Sequence, residues 1–398
     1  MDNRLSGAGS FGRVANLNGV ALPFMDGSVV VSSDGMVASL DSAARRLWEA
    51  LDAGCTLDEL VKASVEYGNL PTEVARANLL ATLDSWRALG LIDAPGQKLK
   101  PAPASRAASP RRPRSAPALD RTYLAGDRAV RVRCDDVALG AIVEAACWSC
   151  RIEHAAGAPV NIDVIARGQG FAVRADDAVL ARSEGITQDR ALARHRCLTA
   201  LLEMARPSRR WLGILHASAV SVAGQCVVLP GSRGSGKSTL AAAMVAAGAD
   251  FVTDDYAPLE QASWRLWPVP YAPGIKRGAW KCLRRHYPDL GRQPVHELGG
   301  LQIRYLQLDA SRTVPLSAGL SVAALVFPRW DPGVVFDQRR ITAAEAFAEL
   351  CRARSMLDRR PEILGETLRW VESIPAYQLV YRDLDRAVDW LLSRLRIE

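Results

Sequence analysis

The spacing of apolar and polar positions divides the chain into three stretches. In the first, residues 14–24 and 28–31 read as short strands. Residues 36–40 follow the turn Ser33-Asp34-Gly35, a hairpin signal. The period then changes from two to about 3.6. Ala44, Leu47, Trp48 and Leu51 share one helical face behind Asp41, which can cap it. Thr56-Leu57-Asp58-Glu59 has the form of a capping box and opens a second helix. Pro71 opens a third, which places Leu79, Leu83 and Trp86 together and stops at Gly90. Three strands followed by three helices predict a small α+β, winged-helix-like unit over residues 1–94.

Residues 95–120 show no hydrophobic period. They are rich in Pro, Ala, Ser and Arg and predict a flexible, partly extended tether. From 121 to 398 the pattern becomes that of an α/β unit. Candidate strands lie at 129–134, 160–165, 170–174 and 179–181, with helices at 139–150 and 187–204. Residues 212–220 read as an apolar strand interrupted by His216, and 225–230 as a short buried strand. The Ala-rich run 240–248 reads as a helix, and the strand 251–255 ends in Asp254 and Asp255. A further apolar strand is expected at 318–327, before helices around 342–352, 363–372 and 383–394.

Composition changes the picture in two places. The chain has 398 residues, enough for more than one domain, and no apolar run long enough for a membrane span. Its first ten residues lack the charge-then-apolar layout of a signal peptide, so a cytoplasmic protein with mostly reduced cysteines is expected. The net charge of +7 suggests a nucleic-acid partner until it is located. Lys98, Lys100, Arg106, Arg111, Arg112 and Arg114 supply nearly all of it from within the tether, so a solvated basic linker explains the excess better. A DNA-binding winged helix would need more basic residues on its third helix than Arg76 and Arg87. Cys147 and Cys150 fit C-x-x-C, but with no second pair to complete a zinc set they read as buried helix cysteines.

The sharpest chemical signal is Gly231-Ser232-Arg233-Gly234-Ser235-Gly236-Lys237-Ser238-Thr239, between a strand and a helix. This is the G-x-x-x-x-G-K-[ST] phosphate loop. Its glycines let backbone N–H groups turn toward a polyphosphate at a helix N-terminus. Lys237 is expected to reach the β- and γ-phosphates of ATP, and Ser238 to ligate Mg²⁺. Asp254 and Asp255 follow barely one helix length later, which puts two carboxylates on the next strand at the same sheet edge. Such a pair can divide the work between holding a metal and taking a hydroxyl proton.

The first unit resembles the PqqD family, the peptide-recognition domain of enzymes that modify ribosomally made peptides. The resemblance rests on Ser39-Leu40-Asp41, Leu47-Trp48-Glu49-Ala50-Leu51, Thr56-Leu57-Asp58-Glu59-Leu60 and Leu89-Gly90-Leu91-Ile92. It implies that a leader peptide adds as a strand along residues 36–40 and packs beside the helix 72–89, where Leu79, Leu83 and Trp86 are either groove or core.

The C-terminal stretch resembles the HPr kinase/phosphorylase catalytic domain. The match is His216-Ala217-Ser218-Ala219-Val220, then the phosphate loop, then Val252-Thr253-Asp254-Asp255, with a weaker one at Glu297-Leu298-Gly299-Gly300-Leu301-Gln302-Ile303. It implies Asp254 as general base, Ser238, Asp255 and Glu297 as Mg²⁺ ligands, and His216 beside the carboxylates. Gly299 stands where that family has an arginine, so Arg304, Arg277 or Lys276 must supply any extra cation, and kinase activity without the reverse reaction is expected.

Together the resemblances imply an ATP-dependent kinase acting on a serine of a ribosomal precursor peptide such as a lasso peptide. An ATP-gated chaperone that presents a peptide to another enzyme is the alternative. Small-molecule phosphorylation would leave the first unit unexplained. Homo-oligomerisation is left open by the sequence.

Overall fold

The computed structural model describes residues 16–17, 19–25, 27–32, 37–68, 71–88, 91–93, 116–168, 170–176 and 186–395. The expected turn at 33–35, nearly all of the expected tether and the candidate strand at 179–181 lie outside the described residues. The chain forms two compact units, Met1–Ala108 with Arg359–Leu368 and Ser109–Asp358 with Arg369–Glu398.

In the first unit, β1 (Gly19–Phe24), β2 (Gly27–Ser32) and β3 (Val37–Leu40) form an antiparallel sheet in that order. Three helices follow: α1 (Ser42–Asp52), α2 (Leu57–Gly68) and α3 (Thr72–Ala88). The Asp41 carboxylate accepts the Ala44 N–H at 2.8 Å, and Glu59 accepts the Thr56 N–H at 2.7 Å, so both expected caps form. Leu79, Leu83 and Trp86 are buried in one cluster with Trp48, Leu51 and Leu60. The Trp48 and Trp86 rings lie 5.7 Å apart, which resolves the groove-or-core question for these side chains in favour of core.

The second unit opens with a six-stranded sheet containing β4 (Leu119–Leu124), β5 (Ala129–Cys134), β6 (Val160–Arg167) and β7 (Gly170–Ala175). The helices α4 (Val137–Ala146) and α5 (Arg190–Ala205) pack on it and on each other. The helix expected over 139–150 stops at Ala146 and continues as a short 3-10 turn, Trp148–Cys150. Cys147 and Cys150 are both free thiols in the core. Burial pushes the Cys150 thiol up to about 12, a group suited to packing rather than to redox or metal chemistry.

The ten-stranded sheet then begins. The apolar run 212–220 is two strands, β8 (Trp211–Leu215) and β9 (Ala217–Val222), because the chain changes partners at His216. Next come β10 (Gln225–Pro230), α6 (Lys237–Ala246) and β11 (Asp250–Thr253). A separate three-stranded sheet holds β12 (Gly274–Lys276), β13 (His296–Leu298) and β14 (Leu301–Tyr305). The chain returns to the large sheet with β15 (Leu320–Trp330), β16 (Phe336–Ile341), α7 (Ala343–Arg352), α8 (Pro361–Ser373), β17 (Ala376–Tyr381) and α9 (Leu384–Leu395). No described helix is long and apolar enough to cross a membrane.

Strand direction builds the site. β15 runs parallel to both β10 and β17. β9 is antiparallel to β10 and to β11, so β11 runs the same way as β10. Pro230, Thr253, Trp330 and Tyr381 therefore end their strands at one edge, where ligands of open α/β sheets bind.

Candidate active site

The glycine-rich loop leaves this edge between β10 and α6, as its spacing predicts. Gly234 and Gly236 have φ of 96° and 98°, the left-handed region that favours glycine. A Cβ on Gly236 would also lie 2.6 Å from the Tyr381 hydroxyl. The loop is fastened from outside, since the Ser235 carbonyl accepts the Trp330 N–H at 3.0 Å.

Lys237 is buried, and its Nζ lies 3.0 Å from Asp255 Oδ1. Burial alone would favour the neutral amine, but the neighbouring charges of Asp255 and Asp254 keep it protonated. Ser238 Oγ donates to Asp254 Oδ1 at 2.8 Å. Ser218 donates to the same oxygen, and the Gly274 N–H donates to Oδ2 at 3.1 Å. Asp254 is only 3% exposed. Burial, reinforced by the charge of Asp255, raises its carboxyl above the usual range.

Asp255 is a different group despite being its neighbour. On a continuing strand the two carboxylates would face opposite sides. Asp255 instead has φ of 64°, a strained backbone for a non-glycine residue, and turns its side chain to Lys237, His216 and Arg194. Burial would raise its carboxyl, but the Lys237 ammonium, a bond to His216 and the Arg194 guanidinium hold it well below the carboxylate range. Its side chain keeps 29% exposure.

His216, at the break between β8 and β9, has Nε2 3.5 Å from Asp255 Oδ1. Its Nδ1 lies 2.7 Å from the Ala353 carbonyl, and because a carbonyl only accepts, Nδ1 carries a proton.

The structure thus brings Lys237, Ser238, Asp254, Asp255 and His216 together, with one exchange. The sequence pairs Ser238 with Asp255 as metal ligands, whereas the Ser238 hydroxyl is bonded to Asp254. Glu297 is not drawn in. It is an exposed residue of β13, in register with Gln302, and among the described residues no group of three or more His, Cys, Asp or Glu side chains could hold a metal.

Of the three candidate cations, Arg304 stacks on Trp280 at 4.1 Å and Arg277 bonds Gln302 at 3.1 Å. Lys276 lines the cavity at the loop, where burial and then the nearby Lys237 charge lower its pKa. Arg233 donates to the Leu298 and Gly299 carbonyls at 3.2 and 3.0 Å, placing its guanidinium over the space a side chain at Gly299 would need.

The sequence reading missed two participants. Arg194 reaches Asp255 at 3.8 Å from α5, and no local motif announces it. Ser218 lay inside the quoted His216–Val220 segment without a role, and only the register of β9 aims it at Asp254.

A cavity of about 800 Å³ opens on the loop. Gly234, Lys237, Ser238 and Thr239 are among its lining residues, and Lys276, Lys281 and Arg382 add positive charge to its wall. That arrangement fits a polyphosphate. The Ser238 hydroxyl and the Asp254 carboxylate are hard oxygen donors suited to Mg²⁺.

The geometry defines an α/β unit with a glycine-rich strand–loop–helix and a carboxylate pair. Residues 27–92 of the other unit match the family described as Coenzyme PQQ synthesis protein D (PqqD), so the chain carries a PqqD domain. The chain is also similar to a solved structure titled "Structure of the Hpr(Ser) kinase/phosphatase from Coxiella burnetii". The two share 15% identity, with 46% of this chain and 90% of that one covered, at a TM-score of 0.22. No curated protein matches the chain.

Proposed function

We propose that the second unit is an ATP-dependent kinase of the HPr kinase-like type, which phosphorylates a serine of a ribosomally made precursor peptide. The observation that carries this reading is the meeting of Lys237 and Ser238 with Asp255 and Asp254, an ammonium, a hydroxyl and two carboxylates at one sheet edge. A loop that only anchors a nucleotide has little use for a second, partly exposed carboxylate beside the lysine, which favours the kinase over the chaperone.

Roles follow from accessibility. The loop N–H groups and Lys237 hold the β- and γ-phosphates of ATP, with Lys276 adding charge. Ser238 and Asp254 would hold Mg²⁺, which when bound neutralises charge on the phosphates. Asp254 is closed to a substrate hydroxyl, because it is buried and occupied by Ser218, Ser238 and Gly274. Asp255 keeps an open side and is the general base. It takes the serine proton as the serine oxygen bonds to the γ-phosphorus and the bond to ADP breaks. His216 and Arg194 hold that carboxylate in place through its strained turn.

The PqqD domain supplies the peptide. Among the described residues β3 pairs only with β2, so its outer edge is available to a leader peptide added as a strand. The test is to incubate the full chain with ATP, Mg²⁺ and a candidate precursor peptide that its PqqD domain binds, and to measure peptide mass. Addition of phosphate to a serine supports the reading, and ATP binding with an unchanged peptide would return the chaperone.

A further inference from the structure

The phosphate-binding groups make up only part of the wall of the cavity at the glycine-rich loop. The rest of the wall includes Trp330, Tyr381, Leu384, Cys282, Arg285 and Asp385. Part of its charge is engaged within the protein. Arg285 pairs with Asp385, and Arg382 donates to the Pro332 carbonyl at 3.1 Å. The exposed indole of Trp330 in this wall offers a face to a flat ring.

Two aromatic residues of this wall adjoin the loop. Trp330 and Tyr381 are register partners at the carboxyl ends of the parallel strands β15 and β17, so their side chains leave the sheet side by side. A Cβ on Gly236 would lie 2.6 Å from Tyr381 Oη and 3.5 Å from Trp330 Cβ. Tyr381 is buried and supports the loop backbone, donating to the Gly236 carbonyl at 3.4 Å. Trp330 is 53% exposed, an unusual state for the largest apolar side chain when it faces a cavity. Its backbone N–H is tied to Ser235, so the residue is anchored beside the loop.

We propose that Trp330 is the platform on which the heteroaromatic base of the donor nucleotide stacks, with Tyr381 fixing the loop beside it. The inference rests on the nucleotide-site reading above and adds the subsite that recognises a nucleoside triphosphate rather than a bare polyphosphate. Stacking tolerates any base, so Trp330 contributes affinity and leaves the choice among purines and pyrimidines to other groups.

Equilibrium titration of the full-length chain with Mg²⁺-ATP, and separately with Mg²⁺-tripolyphosphate, tests this without any turnover. Trp330→Ala should weaken ATP binding about tenfold while changing tripolyphosphate affinity less than twofold. Trp330→Phe should recover most of the loss, since a ring remains. Lys237→Ala should weaken both ligands together. If the parent binds both and Trp330→Ala leaves ATP affinity within twofold, or weakens both ligands equally, the platform is overturned while the nucleotide site stands. If the parent binds neither ligand, the nucleotide reading and the platform fall together.

Discussion

At the scale of single residues, the site is governed by how differently two adjacent aspartates are solvated. Asp254 is enclosed and triply hydrogen-bonded, whereas Asp255 is strained, ion-paired and partly open. Asp255→Asn should lower kcat by about 10²–10⁴-fold, the usual loss on removing a general base, with ATP affinity nearly kept. Asp254→Asn should instead weaken Mg²⁺-dependent ATP binding, which titration at several Mg²⁺ concentrations would detect. The opposite pattern would restore the assignment expected from sequence, with Asp254 as base. Gly236→Ala faces both a φ of 98° and the Tyr381 hydroxyl. The left-handed backbone alone costs roughly 1–2 kcal/mol. Thermal unfolding should show a lower midpoint, and adding Tyr381→Phe should recover part of the loss. No recovery would mean that the hydroxyl contact is unimportant.

At the scale of elements, β3 is the informative one. Alternate residues of an antiparallel edge strand direct their N–H groups toward and away from the partner. Of Ala38 and Ser39, one therefore offers its donor to the open edge. Proline at that position should weaken leader binding, read by anisotropy of a labelled leader peptide, and leave ATP binding unchanged. Equal binding by both proline variants would argue against strand addition. The same unit shows why its third helix was ambiguous: at every third or fourth position, a core stripe and a groove look alike in sequence. Leu79, Leu83 and Trp86 became core because Trp48 of α1 packs on Trp86.

At the scale of the whole molecule, a recognition domain and a transfer site on one chain predict a division of kinetic labour. Docking raises the local concentration of the acceptor and makes no contact in the transition state. Full-length protein should therefore phosphorylate the intact precursor and its leaderless core at similar kcat, with a much higher KM for the leaderless peptide. Equal KM values would remove the leader-docking role and leave the transfer chemistry intact.

The sequence by itself determined what neighbours along the chain decide. The capping residues Asp41 and Thr56, the helical stripes of the first unit and the glycine-rich loop between strand and helix all depend on side chains a few positions apart. They were legible, as was the placement of Asp254 and Asp255 at the loop's edge. Only the tertiary structure decided which hydroxyl meets which carboxylate. Ser238 bonds Asp254 because β11 runs alongside β9 in the direction of β10, and Asp255 turns away because its backbone is left-handed. Strand order likewise brought Trp330 and Tyr381 together and packed α5 so that Arg194 reaches Asp255. Local spacing fixes which face a residue occupies, but the partner across that face is set by sheet order and register, which depend on contacts between distant parts of the chain.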